Sequence, residues 1–203
     1  MIFIPKLPFM STIEKIKALR EKTGAGIVDV KKAFDEALGD EAKAIDILRK
    51  RGQDKALKKS DRVAREGIVI SYVHSNDRIG ALVQLFCETD FVARNEEFRE
   101  LGRDIALHIV ALAPQYIKPE EVPDDVIKKE REIWNEQLIA EGKAEAMIEK
   151  ILSGKEEKFR RENALLTQVF VKDPEKTVGD LITEKIHKIG ENIQIGKFIR
   201  YEI

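Results

Sequence analysis

The segment CETDFVARNEEF, residues 87–98, places an acid beside an aromatic ring where a predicted strand gives way to a helix. Thr89 or Asp90 can cap the first turn of that helix. Phe91 then has two interpretations: its ring packs into the core of its own domain, or it binds another molecule. The residues alone favour the first, because large aromatic side chains are usually buried. Phe98 already suits the buried face of the following helix, which weakens that preference without removing it.

The sequence contains no phosphate-binding loop. Such a loop needs a glycine five residues before its Gly-Lys pair and a hydroxyl after it. Gly154 and Lys155 have Glu149 at the first of these positions and Glu156 at the second. The glycines of residues 23–26 follow a helix rather than a strand, so they fit a helix end and not a dinucleotide-binding turn.

Histidine and cysteine are too sparse to compose a metal site or a catalytic centre. His74, His108 and His187 are far apart in the chain, and Cys87 is the single cysteine. His108 lies four residues after Asp104 on a predicted helix, so the two side chains could form a hydrogen-bonded pair of a structural kind. We therefore expect no enzymatic activity, no metal and no cofactor.

Composition excludes several other classes of protein. The 203 residues include 36 Lys and Arg against 37 Asp and Glu, a formal net charge of −1. Such a chain has no overall field that would draw it to nucleic acid or to an anionic membrane. No apolar run is long enough to span a bilayer, and a single cysteine favours a reducing, cytoplasmic setting. Residues 1–10 do not resemble a signal peptide and are interpreted as an extension that ends at a second methionine, Met10.

Residues 11–53 are predicted to form three short helices. Ser11, three residues before Glu14, can start the first helix with a capping box, and Asp40 can cap the third. Gly52 is predicted to end the third helix. The apolar residues that mark the second helix are Val30, Ala33, Phe34, Ala37 and Leu38.

A charged linker, residues 54–66, leads to a predicted core, residues 67–203. The core starts with two strands around the turn HSNDRIG, which indicates an antiparallel hairpin. A helix follows from about Asn95 to Ala113. Its predicted buried residues are Phe98, Leu101, Ile105, Leu107, Ile109 and Leu112.

The second half of the core is predicted to be helical and then extended. Residues 124–163 are charged and helical, with interruptions at Gly142 and Gly154. Thr177 can cap a further helix that Gly190 ends. The tail NIQIGKFIRYEI alternates apolar and polar residues, so we expect a strand that completes a sheet of about three strands with the hairpin. The fold class is therefore α+β.

Six segments, in order, resemble the bacterial elongation factor Ts family, in its short form. In chain order they are LREKTGAGIVDVKKAFDEALGDEAKAIDILRKRG, EGIVISYVH, TDFVARNEEF, GKAEAMIEKILSGKEEKF, LLTQVFVKD and GENIQIGKFIRYEI. The resemblance covers residues 11–203 and implies that the N-terminal bundle is of the ubiquitin-associated type. The chain departs from the family's usual residues at Ile27 and Val28, where the family often has a methionine pair, and at Val30, where it often has cysteine.

The resemblance implies a role in guanine-nucleotide exchange. In this family, the segment that corresponds to Thr89, Asp90, Phe91 and Val92 enters the nucleotide-binding domain of elongation factor Tu and displaces Mg²⁺. The bound GDP is released, and GTP can rebind. The nucleotide belongs to the partner, which accounts for the missing phosphate-binding loop.

Two further expectations follow from the resemblance. Ile27 and Val28 are expected to form a second contact with the same partner domain, unless they pack between the first two helices. Short members of the family tend to be homodimers, so we expect a dimer formed by the core, with residues 11–51 projecting away from it. The alternative function is a ubiquitin-associated-type adaptor that binds peptides or nascent chains, which would not need the core or Thr89–Val92.

Overall fold

The computed structural model describes residues 11–203, and this part of the chain begins with three helices. They are α1 (Thr12–Thr23), α2 (Ile27–Glu36) and α3 (Glu41–Leu57). Ser11 caps α1 in a capping box with Glu14, and the side chain of Asp40 caps α3 by accepting a backbone N–H, so both predicted caps are confirmed. The predicted extension, residues 1–10, lies outside the described residues.

The three helices share a small apolar core of their own. Its buried members are Leu19, Ala25, Val30, Ala33, Phe34, Ala37, Ala44 and Leu48. Leu38 was predicted to lie in the second helix, and that prediction is wrong: it follows the end of α2 and is 94 % exposed. The reason is that α2 ends at Glu36, after which Leu38 and Gly39 both have positive φ and turn the chain toward solvent.

The remaining elements confirm the α+β class. In chain order they are β1 (Glu66–Val73), β2 (Ile79–Cys87), α4 (Asp90–Ala93), α5 (Glu96–Leu112), α6 (Asp124–Ala140), α7 (Glu145–Asn163), β3 (Val169–Phe170), β4 (Asp173–Thr177), α8 (Val178–Ile189) and β5 (Gln194–Glu202). Asn95 caps α5, which begins at the next residue, close to the predicted start. As predicted, Thr177 caps α8, and Gly190 ends α8 with a left-handed φ of 92°. A two-stranded pairing of β3 with β4 was not predicted.

Strands β1, β2 and β5 form the predicted three-stranded antiparallel sheet, with β2 in the centre. Leu82 on β2 lies opposite Ser71 on β1 and Ile199 on β5, so these three side chains share one face. Residues of the other face, including Val83 and Leu85, are buried against α5. Because successive side chains of a strand alternate between faces, one face of the sheet forms the core and the other remains open.

Helix α5 supplies the largest share of the buried side chains under the sheet. Those that are fully buried are Phe98, Leu101, Ile105, Ala106, His108 and Ile109. Leu112, predicted to be buried, is 45 % exposed, because it lies in the last turn, where α5 leaves the sheet. Burial of a large aliphatic or aromatic side chain contributes about 1.5–3 kcal/mol, so α5 is the main stabilising layer of the sheet.

Helices α6 and α7 form an antiparallel hairpin. Gly142 has a positive φ of 70° in the turn between them, which confirms the predicted break. The predicted break at Gly154 is wrong, because this residue lies inside the 19-residue helix α7. Arg131 joins the two helices by ion pairs with Glu149 and Glu156, at 2.8 and 3.1 Å. Of the helices in residues 11–203, none has both the length and the apolar character needed to cross a membrane.

The three-helix bundle packs against the core through α3 and α8. Helix α3 continues five residues past Gly52, so the predicted helix end there is wrong. Gly52 is buried beside Thr183 of α8, and Ala56 packs against the core cluster. This tertiary packing offsets the helix-breaking tendency of glycine, which is only about 1 kcal/mol. The bundle therefore packs against the core, whereas we had predicted that it projects away from the core.

His108 is buried without the predicted partner. Its Nδ1 accepts the backbone N–H of Val171 at 3.2 Å, and its Nε2 lies 3.0 Å from Oε1 of Gln168. The proton must therefore be on Nε2. Asp104 instead pairs with Lys172 at 2.6 Å. Burial lowers the pKa of His108, against the smaller raising effect of its hydrogen bond to Gln168.

This histidine is expected to make folding sensitive to mild acid. Because the pKa is lower in the folded chain than in the unfolded one, the unfolded chain binds the proton first, and stability falls as the pH drops below about 6.5. His108→Asn keeps an acceptor for the Val171 amide but removes the titrating ring. We expect it to lower the free energy of unfolding at neutral pH and to reduce its loss between pH 7.5 and pH 5.5, measured by urea denaturation. His74→Asn, at an exposed position, is the control; equal pH dependence in parent and His108→Asn would contradict this assignment.

Candidate functional site

Residues 87–95 connect the central strand to α5 through the single turn of helix α4. Thr89 is the N-cap of α4, and its hydroxyl accepts the backbone N–H of Val92 at 3.4 Å. The Asn95 N–H donates to the Val92 carbonyl at 2.9 Å, which closes the turn. Asn95 in turn caps α5 by accepting the Glu97 amide at 2.8 Å. Two successive caps therefore fix the path of the chain at this corner of the sheet.

Phe91 points away from the protein at this corner. Its side chain is 79 % exposed, whereas the adjacent Val92 and Ala93 are only 6 % and 7 % exposed. Val92 and Ala93 belong to the core cluster that also contains Phe98. One turn of helix thus directs two small side chains inward and the large ring outward, and the interpretation that Phe91 packs into its own core is wrong.

Asp90 lies beside the ring and is likewise exposed. Its carboxylate is 3.1 Å from the guanidinium of Arg94, one helical turn later, and both side chains are mostly in solvent. An exposed pair of this kind contributes between 0 and about 1 kcal/mol. Asp90 can therefore exchange Arg94 for another partner at little energetic cost.

The segment is held from behind by Glu191 and Asn192, which follow α8. The Glu191 carboxylate accepts the backbone N–H groups of Glu88 and Thr89, both at 3.0 Å, and the Thr89 hydroxyl at 2.6 Å. Asn192 donates its backbone N–H to the Glu88 carboxylate at 2.7 Å. Sequence reasoning missed both residues, because about a hundred positions separate them from Thr89 and no local pattern marks the pairing.

Asn192 also ties the corner to the linker that follows α3. This side chain is 2 % exposed and donates to the backbone carbonyls of Ser60 and Arg62, at 3.3 and 2.7 Å. Arg62 lies 3.6 Å from the Glu88 carboxylate. The linker, the tip of α8 and the strand–helix corner therefore form one connected polar network behind the exposed ring.

Ile27 and Val28 lie in the first turn of α2, not in a loop. They are 48 % and 62 % exposed, so they do not pack between the first two helices. No hydrogen bond or ion pair among residues 11–203 connects them to Thr89–Val92. The two predicted contact groups thus occupy separate elements, each presenting apolar surface to solvent.

Two further features of residues 11–203 bear on metal and ligand binding. No group of three or more His, Cys, Asp and Glu side chains in residues 11–203 is placed to hold a metal ion. A cleft of about 310 Å³ lies between the bundle, β4 and α8, and none of residues 87–95 lines it. Its lining mixes acids with bases, and several are already engaged: Lys176, for example, pairs with Asp173 and Glu184 at 3.2 and 2.9 Å.

Comparison with known proteins identifies the family. The family model described as elongation factor TS matches residues 9–203. A curated elongation factor Ts of Thermosipho melanesiensis is 54 % identical over 194 residues, which cover 96 % of this chain and 99 % of that protein. Those of Carboxydothermus hydrogenoformans and Fervidobacterium nodosum are 52 % and 54 % identical, covering 96 % and 94 % of this chain and 89 % and 96 % of theirs. The chain therefore belongs to the elongation factor Ts family.

Proposed function

We propose that this protein binds elongation factor Tu carrying GDP and promotes release of the nucleotide, after which GTP rebinds. Membership of the elongation factor Ts family makes the chain a translation elongation factor, and the family implies elongation factor Tu as the partner. The observation that carries the proposal is the outward direction of Phe91, 79 % exposed on an otherwise fixed corner. An exposed aromatic ring on a rigid scaffold is typical of a residue that anchors a protein–protein contact.

The residues of the segment have different roles in this proposal. Phe91 enters the nucleotide-binding domain of the partner, where burial of the ring supplies about 1.5–3 kcal/mol. Asp90 leaves Arg94 and contacts the partner beside the ring. Thr89 orients the turn as its cap, and Val92 anchors it in the core, so these two support the contact from within. Insertion displaces Mg²⁺ from the partner, which lowers its affinity for GDP because the cation neutralises the phosphates.

No covalent step is needed. If binding of this protein weakens GDP binding, GDP must weaken binding of this protein by the same factor. Fresh nucleotide then dissociates the complex and completes the cycle. The protein itself requires no cofactor in this scheme.

The bundle makes a second contact with the same partner domain through Ile27 and Val28. Their exposure at the start of α2 supports this role, since both present apolar surface away from the bundle core. In this proposal the chain has three parts: a bundle (11–53) that makes the second contact, a linker (54–66), and a core (67–203) that carries the exchange segment. The packing of α3 on α8 fixes the distance between the two contacts.

The core forms a homodimer through the open face of its sheet. Five large apolar residues on this face are between 42 % and 67 % exposed: Val69, Val73, Leu82, Ile199 and Tyr201. An apolar sheet face open to water is a characteristic site of protein association. A second copy related by twofold symmetry would cover it with the same residues.

Reciprocal coupling provides the test of the exchange proposal. Affinity of this protein for nucleotide-free elongation factor Tu is compared with its affinity for the GDP- and Mg²⁺-bound form, by calorimetry. We expect much tighter binding to the nucleotide-free form. Equal affinity for the two forms would contradict exchange, because a ligand with no preference between two states cannot shift their equilibrium.

Cys87 is expected to be dispensable for exchange. It is fully buried at the end of β2, and its Sγ donates to the Thr89 carbonyl at 3.2 Å. Burial, with a smaller effect from the charge of Glu191, raises the pKa of the thiol to about 11. At neutral pH it is therefore protonated and unreactive. We expect slow labelling of the native thiol and retained exchange in Cys87→Ala and Cys87→Val; rapid native labelling that abolishes exchange would contradict this.

A further inference from the structure

Glu191 holds the backbone of the exposed segment from a distant part of the chain. Its Oε2 accepts two consecutive backbone N–H groups, those of Glu88 and Thr89, and its Oε1 accepts the Thr89 hydroxyl. In the described structure these are the hydrogen bonds that those two N–H groups make. They lie where β2 has ended and α4 has not begun, so neither element supplies them with a carbonyl. Bonds to a carboxylate are roughly twice as strong as neutral ones.

The same carboxylate sets the cap of α4. The Thr89 hydroxyl has one proton, and the 2.6 Å bond directs it to Glu191. The lone pairs of the hydroxyl are then free to accept the Val92 N–H, which they do at 3.4 Å. This orientation fixes the first turn of α4, the turn that carries Asp90 and Phe91.

Glu191 is itself held in place. Gly190 ends α8 in the left-handed conformation, and its carbonyl accepts Nζ of Lys59 at 2.7 Å. Asn192, on the other side, is buried and bonded to Glu88, Ser60 and Arg62. A carboxylate on such a fixed backbone can orient a neighbouring segment rather than follow it.

We infer that Glu191 is a positioning residue for nucleotide exchange: it holds the turn that carries Asp90 and Phe91 in the orientation that the partner receives. The inference rests on the proposed function. Without this carboxylate, the turn samples several orientations, and binding must select the competent one, which reduces apparent affinity by the fraction populated.

The test compares Glu191→Ala, Glu191→Gln and a control, Glu162→Ala. The control likewise removes one glutamate charge, in this case from an exposed ion pair with Lys158. Melting temperatures identify a temperature at which all three proteins are folded. At that temperature, Glu191→Ala should lower the second-order rate constant for GDP release by about tenfold, the loss expected for hydrogen bonds to a charged group. Glu191→Gln keeps one carbonyl oxygen for the two N–H groups but none for the Thr89 hydroxyl, so it should recover part of the rate. Glu162→Ala should match the parent.

Amide hydrogen exchange, followed by NMR, gives a second readout that does not depend on the partner. The Glu88 and Thr89 amides should lose protection in Glu191→Ala and keep most of it in Glu191→Gln. A parent-like rate of GDP release in Glu191→Ala, or undiminished protection of these two amides, would overturn the inference. If the parent protein does not accelerate GDP release from elongation factor Tu, the proposed function is refuted. The amide measurement would still show whether Glu191 holds the segment.

Discussion

Phe91→Ala is expected to fold as the parent does and to lose most of its exchange activity. With 79 % of the side chain in solvent, truncation removes little buried area from the fold. If the ring is the anchor of the contact, its loss weakens binding in the exchange complex by about 2 kcal/mol or more, which corresponds to about 30-fold in rate. The measurement pairs the rate of labelled GDP release from elongation factor Tu with the melting temperature of the variant.

Two variants make this prediction specific. Phe98→Ala alters a fully buried phenylalanine seven positions later, and it should destabilise the fold by about 3–5 kcal/mol. Ile133→Ala removes a half-exposed apolar side chain from α6 and should change neither property. A Phe91→Ala protein that exchanges at the parent rate would refute the anchoring role. A Phe91→Ala protein with a melting temperature as low as that of Phe98→Ala would indicate that the Phe91 ring packs in the core.

Leu82→Lys is expected to convert the homodimer to a monomer without unfolding it. Leu82 lies on the central strand, between Ser71 and Ile199, on the open face of the sheet. It is 46 % exposed in the single chain, so a lysine there can reach water in the monomer. In a twofold pair, the two central strands would bring two ammonium groups into an apolar contact, and the cost of burying unpaired charge is several kcal/mol.

Sedimentation equilibrium measures this effect directly. The parent should give the mass of two chains at micromolar concentration, and Leu82→Lys the mass of one. Ile133→Lys introduces the same charge on α6, and we expect it to remain dimeric. A monomeric parent would refute the homodimer. A dimeric Leu82→Lys protein that is folded would show that the interface lies elsewhere than the open face.

Elements with strong local signals could be predicted from the sequence. The capping box at Ser11, the cap at Thr177, the turn of the hairpin and the alternation of the last strand each depend on neighbours within a few residues. Local sequence is therefore enough to predict them. The predicted helix end at Gly52 and the predicted helix break at Gly154 are both wrong. Gly52 and Gly154 both lie inside helices of 17 and 19 residues, where the rest of the helix and its packing outweigh a penalty of about 1 kcal/mol.

In the candidate site, too, some features could be predicted from local sequence and others could not. Local sequence predicted the strand and offered Thr89 as a cap. It also limited Phe91 to two interpretations, burial in its own core or contact with another molecule. The outward direction of the ring was not, because it depends on which side chains of α4 the distant core accepts, here Val92 and Ala93. The hydrogen bonds between Thr89 and Glu191 and between His108 and Gln168 join positions that are 102 and 60 residues apart. No periodicity in the sequence predicts such pairs.

The rate of GDP release from elongation factor Tu tests the central claim most directly. Elongation factor Tu carrying fluorescent GDP and Mg²⁺ is mixed rapidly with increasing concentrations of this protein and an excess of unlabelled GDP. The account predicts that the release rate rises with protein concentration and then saturates, and that it does so for the parent but far less for Phe91→Ala. A release rate that stays at the spontaneous value, at concentrations where binding is measured independently, would contradict it.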